Sequence, residues 1–350
     1  MNYKQLIFAR EYRGLTQTEL ANSIDGLSQS NLSKYEKGFD NLSDDLKKRI
    51  MFFLDFPESF FNKNIEIRIE NGNYRKKSAI KKSDVIKFEN TCKIFGYLVD
   101  EMAKSIEWSD FEIQTLNVED GYTPAYIANY VRRTINLKRG EPIRNIYTLL
   151  ENVGIIIYEV DTNEKFDGIS FFSDLGYPLI VINKNLPNDR KRFTLAHEFG
   201  HIILHNESNF PVSEFRDKEK EANEFASEFL MPELEIRNSL RGIKIGDLGI
   251  LKSYWLTSMS SIIRRAKDLQ CISQDRYKYF IIELSRSGQS KNEKGFVEID
   301  NPTHFKNGYS LLQHELGYDD NDFIKIFSLP KDVLSTIFDF STTKTLKLVK

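Results

Sequence analysis

Three of the five histidines fall within nine residues: His197, His201 and His205. The first two frame the run His197-Glu198-Phe199-Gly200-His201. On a helix, positions four apart share a face. Two imidazoles so spaced can reach one metal ion, and the carboxylate beside them can activate a bound water. His205 cannot join them on the same ion. At 1.5 Å of rise per residue it stands roughly 12 Å along the axis from His197, against metal–nitrogen bonds of about 2 Å. It either holds a ligand from behind or closes the helix end. Gly200 costs a helix about 1 kcal/mol relative to alanine, which asks for a reason such as close approach by a neighbouring strand or by substrate.

A catalytic metal site needs a third protein ligand, and the segment 218–230 can supply it. Its apolar residues, Ala222, Phe225, Ala226, Phe229 and Leu230, form one face of an amphipathic helix. At 100° per residue Glu219 lies about 60° from the centre of that face, Glu221 about 100° and Glu224 about 160°. Glu219 is the carboxylate expected to look inward. Asn223, one turn on, is placed to hold a ligating side chain by hydrogen bond without touching the metal itself. The other glutamates of the segment read as a solvated face.

The histidine helix is expected to start near Arg190, after three short β-branched runs at 154–158, 168–172 and 178–182. Helical patterns precede them at 78–106, 124–133 and 143–151, and 243–350 is mostly helical. Near the start, Thr16-Gln17-Thr18-Glu19 has the form of a capping box, Ser28 and Ser43 read as N-caps of later helices, and Pro57 closes the set. The alternation Ile65-Glu66-Ile67-Arg68-Ile69 suggests a short strand or extended linker.

With 350 residues the chain has room for two or three domains. The net charge is −2, and residues 1–62 hold eight Lys/Arg against nine Asp/Glu, so no general polyanion affinity is written into them. The cationic run from Arg75-Lys76-Lys77 to Lys81-Lys82 reads as a solvated linker that could also lie along phosphates. No apolar stretch is long enough to span a bilayer, and the charged start is not that of a secretory signal. Cys92 and Cys271 are far apart, as in a protein with reduced thiols. A cytoplasmic location without membrane partners is the expectation.

Beyond the bare motif, the segments Glu151-Asn152-Val153-Gly154-Ile155, Pro178 to Asn183, Arg192 to His201, Leu204-His205, Glu219-x-x-Ala222-Asn223-x-Phe225-Ala226 and Leu230-Met231-Pro232, with the tail Ser258 to Leu269, resemble the ImmA/IrrE family of gluzincin-like metallopeptidases. The resemblance spans roughly residues 65 to 295. It implies Zn2+ held by His197, His201 and Glu219, with Glu198 as general base. It also implies proteolysis of a protein substrate such as a transcriptional repressor or antitoxin. Residues 5 to 38, with Arg13-Gly14-Leu15-Thr16-Gln17-x-Glu19-Leu20-Ala21 and Ser28 to Gly38, resemble the Cro/repressor-type (Xre) helix-turn-helix. That implies a third helix in the major groove of double-stranded operator DNA, with Gln29, Ser30, Asn31 and Lys34 at base edges or phosphates and Gln17 on the backbone.

The fold expected is multidomain. An all-α helix-turn-helix domain (1–62) and a helical linker region (63–142) precede an α+β zincin-like domain (143–295) with a small antiparallel or mixed sheet; a helical C-terminal subdomain (296–350) follows. A DNA-binding regulator with a built-in zinc endopeptidase is the main expectation, with homodimerisation open. The alternative is a DNA-binding repressor whose zinc fold is a sensory or structural module without turnover.

Overall fold

The computed structural model describes residues 1–350 except 40, 68, 70–81, 139, 163–165, 208, 290–292 and 339–350. Most of the cationic run lies outside the described residues. The chain divides into two compact units: Met1–Glu107 with Phe172–Gly176 and Lys306–Lys350, and Trp108–Phe171 with Tyr177–Phe305.

The first unit opens with α1 (Tyr3–Tyr12), α2 (Gln17–Asn22), α3 (Gln29–Glu36) and α4 (Asp44–Leu54). Their starts are chemical. The Thr16 hydroxyl accepts from the Glu19 amide at 3.1 Å while the Glu19 carboxylate accepts from the Thr16 amide at 2.7 Å, satisfying two otherwise orphaned donors. Ser28 and Ser43 cap α3 and α4 in the simpler way. Leu6, Leu20, Leu32, Ile50 and Leu54 are fully buried between these helices. Phe56, Phe60 and Phe61 close the cluster with rings 4.7–6.4 Å apart. Ile65–Ile67 form no strand. Alternation permits extended backbone, but a strand also needs a pairing partner, and no strand of the described residues pairs there.

Helix α5 (Lys82–Met102) follows in the same unit and buries Cys92, Phe95, Leu98 and Val99. Its Asp100 accepts the amides of Asp174 and Leu175 at 3.0 and 3.4 Å.

The second unit carries α6 (Pro124–Thr134), α7 (Ile146–Asn152), and the strands β1 (Ile156–Val160), β2 (Gly168–Phe172) and β3 (Pro178–Asn183). The sheet order is β1-β3-β2, with β1 and β3 parallel and Ile156 opposite Leu179. Only five residues join β2 to β3, too few for a parallel crossover, so that pair is antiparallel and the sheet is mixed. The central strand β3 is buried along its whole length.

Against β3 lies α8 (Asn188–Leu204), and against α8 lies α9 (Lys218–Leu230), which also packs on α6. The wholly buried Arg192 fixes α8 by donating to the carbonyls of Leu256 and Arg144 at 2.9 and 2.8 Å. Gly200 has its reason here, and it is neither a strand nor a substrate. A Cβ at this position would stand 3.1 Å from the Phe225 ring and 3.3 Å from the Ala222 Cα, so the glycine lets α9 approach α8 closely. The unit continues through α10 (Glu233–Leu240), α11 (Leu248–Trp255), α12 (Met259–Asp268) and α13 (Gln274–Arg286).

At the end of the chain come α14 (His304–Glu315), α15 (Asp320–Phe327) and α16 (Lys331–Ile337). Within the first unit, α15 packs on α5, and the Tyr97 hydroxyl donates to the Phe327 carbonyl at 2.7 Å. Among the described residues no helix is long and apolar enough to cross a membrane.

Candidate metal centre

Close packing of α8 on α9 brings three side chains to one point. The Nε2 atoms of His197 and His201 are 3.1 Å apart. The Glu219 carboxylate reaches the first at 3.5 Å and the second at 3.0 Å. A tetrahedral ion with bonds of 2.0–2.2 Å spaces its ligand atoms about 3.3–3.6 Å apart; two imidazole nitrogens 3.1 Å apart, with the two oxygens of one carboxylate at 3.5 and 3.0 Å from them, suit a zinc-type ion. The same contacts hold the Glu219 carboxyl well below the usual carboxylate range. Partial burial opposes this, but hydrogen bonds to His197 and His201 outweigh it. For His197, burial pulls the pKa down, yet Glu219, Glu198 and Asn223 together raise it above the ordinary histidine value.

Glu198 is buried beside the imidazoles, and the Ser170 hydroxyl of β2 donates to its Oε2 at 2.8 Å. Strand and helix come close at this point because residue 168 is glycine. A Cβ there would lie 2.6 Å from the Thr194 methyl and 3.3 Å from the Glu198 Cγ. Sequence reasoning missed Ser170, since a lone serine on a strand carries no spacing signal. An open groove of about 920 Å3 runs beside the centre, with Glu219, Asn223, Ser227 and Arg264 among its lining residues.

Asn223 donates to the backbone carbonyl of Glu219 at 2.8 Å and also interacts with His197. The rear nitrogen of His197, Nδ1, is buried without a hydrogen-bond partner among the described residues. His201 differs. Its Nδ1 meets His205 Nδ1 at 2.9 Å, and His205 Nε2 meets Glu221 Oε2 at 2.9 Å. Glu221 in turn accepts from Arg216, at 3.1 Å from Nε and 2.6 Å from Nη2.

This corrects the reading of Glu221 as solvated: its side chain is only 16% exposed. Glu228 is likewise no surface charge. It is buried, ion-paired to Arg265, and accepts from Asn129 at 2.7 Å and from the Glu233 amide at 3.0 Å. Desolvation, with smaller contributions from neighbours, lowers the His205 pKa to about 4, so its ring is neutral at physiological pH.

In the first unit, Gln29, Ser30, Asn31 and Lys34 are all exposed along α3. Gln29 donates to the Gln17 side chain at 3.0 Å, and Gln17 to the buried Glu36 at 2.8 Å. Glu36 is gripped by Arg10 through two bonds of 2.7 and 2.9 Å.

Residues 150–267 match the model of the Peptidase_M78 family, described as an IrrE N-terminal-like domain. That segment is similar to a metallopeptidase-like domain, and it contains all the residues of the centre. The chain is also 35% identical over 95 residues to a protein named uncharacterized immunity region protein 2 of Bacillus phage phi105. The match covers 25% of this chain and 60% of that relative's length.

Proposed function

We propose that the chain is a DNA-binding regulator with a built-in zinc endopeptidase that cuts a partner regulator, a repressor or antitoxin. The observation carrying this reading is the convergence of His197, His201 and Glu219 at ligand spacing, with Glu198 held alongside. His197, His201 and Glu219 would hold the ion, and bound zinc supplies Lewis acidity toward water and a peptide carbonyl.

The chain's own residues do the remaining work. Glu198 is the general base that takes a proton from the attacking water, and the same carboxylic acid then returns it to the leaving amine. Ser170, by donating to one carboxylate oxygen, leaves the other for the water and fixes the plane of the group. The groove along α9 gives an extended substrate strand room beside these groups.

The α3 residues Gln29, Ser30, Asn31 and Lys34 are our candidates for reading an operator, with Gln17 steadying Gln29 from α2. The name of the phage relative supports a regulatory setting, and a repressor is a substrate consistent with it.

The test is to express the wild-type chain and Glu198→Gln in the same cells and compare which proteins shorten. A shortened protein present only with the wild type, with equal zinc in both purified forms, is the expected result. If the two proteomes match, and zinc addition changes only DNA affinity, the zinc fold is a sensor instead.

A further inference from the structure

We infer that Arg216, Glu221 and His205 form a directional hydrogen-bond chain whose function is to present His201 to the metal in one tautomer and one orientation. The inference rests on the zinc reading of the centre and deepens it, assigning positioning roles to three residues that touch no metal.

Each link has one permitted direction. Arg216 can only donate, so the Glu221 carboxylate it grips is committed as an acceptor. His205 therefore turns an N–H toward Glu221 from Nε2. A neutral imidazole carries one N–H, so His205 Nδ1 is left with its lone pair, facing His201 Nδ1 at 2.9 Å. That contact is bonding only if His201 holds its proton on Nδ1. The lone pair of His201 is then on Nε2, the atom 3.1 Å from His197 Nε2 and 3.0 Å from Glu219. A guanidinium three hydrogen bonds away thus sets which nitrogen of His201 is bare.

The chain is also sheltered. The His205 side chain has no solvent exposure, so water does not compete for its two nitrogens. It is built at the exit of α8, where His205 is the C-cap, and at the entry of α9, whose first turn carries Glu221. His197 lacks any such support at its Nδ1 among the described residues, so the two imidazoles are not equivalent.

A plain structural staple between α8 and α9 would use the same contacts, and His205→Phe separates the two roles. The ring keeps the shape, and Glu221 keeps Arg216. What is lost is the acceptor behind His201 Nδ1, so nothing then holds the His201 proton there rather than on Nε2. We expect the metal-free variant to melt within a few degrees of the wild type and to bind zinc 10–100-fold more weakly by chelator competition, as for loss of a partner behind a metal ligand. Zinc affinity within threefold of the wild type would overturn the inference.

If the variant fails to fold, the wild type still decides. Long-range proton–nitrogen NMR of the metal-free protein should show His201 protonated on Nδ1, and protonation on Nε2 would overturn the inference. A wild type that takes up no zinc would remove the metal reading, while the NMR result would still report on the chain itself.

Discussion

The α8–α9 centre and the outer face of α3 both gather polar side chains, but they treat water in opposite ways. At the centre, Glu198, His201 and His205 are buried and each is tied to a neighbour. On α3, Gln29, Ser30, Asn31 and Lys34 are exposed, and the buried bonding lies one layer beneath, in Gln17, Glu36 and Arg10. A group taken out of water is committed to one partner, and removing that partner is costly. A group left in water is free to trade its hydration for a ligand's edge. The first arrangement suits holding an ion, the second suits meeting a large polar surface.

Substitutions that break the contrast should rank accordingly. Glu219→Ala removes one of three ligand atoms and should lower zinc affinity by orders of magnitude, measured by metal titration against a chelator. Affinity within tenfold of the wild type would mean that another group supplies the third ligand. Glu228→Ala leaves Arg265 as a buried unpaired cation and should cost about 3–5 kcal/mol in denaturant unfolding of the metal-free protein. A loss below about 1 kcal/mol would show that water reaches that site. The smallest stability effect belongs to α3. Asn31→Ala with Lys34→Ala should stay within about 0.5 kcal/mol of the wild type, yet weaken duplex binding after selection from random sequence. Equal DNA binding by that double variant would leave α3 as a surface for protein contacts.

Local chemistry made much of this legible. The starts of α2, α3 and α4 were readable because a cap needs one side chain and an amide three residues away. Helix phase singled out Glu219, and its carboxylate lies against both imidazoles, but its side chain is 39% exposed, more than that of Glu221 at 16%. The same phase argument failed for Glu221 and Glu228 because it assumes one buried face. Helix α9 packs on both α6 and α8, and Arg216 in the preceding loop covers its first turn. Burial from several sides, and partners arriving from distant elements, leave no periodic trace. Ser170 is the extreme instance: only the strand order and the closeness of β2 to α8 at Gly168 reveal it.

The spacing of the ligand atoms along the chain has a mechanical consequence. His201 and Glu219 are eighteen residues apart, at the end of one helix and the start of the next. An ion held between them would bind the folded helix pair and not the open chain, and so would add to stability by mass action, reversibly. Chelation should therefore lower the melting temperature. It should also loosen α9 from its first turn inward, with amide exchange at 218–222 quickening while that of β3 is unchanged. The helix pair would then act as a clasp, its grip set by how much free zinc surrounds it.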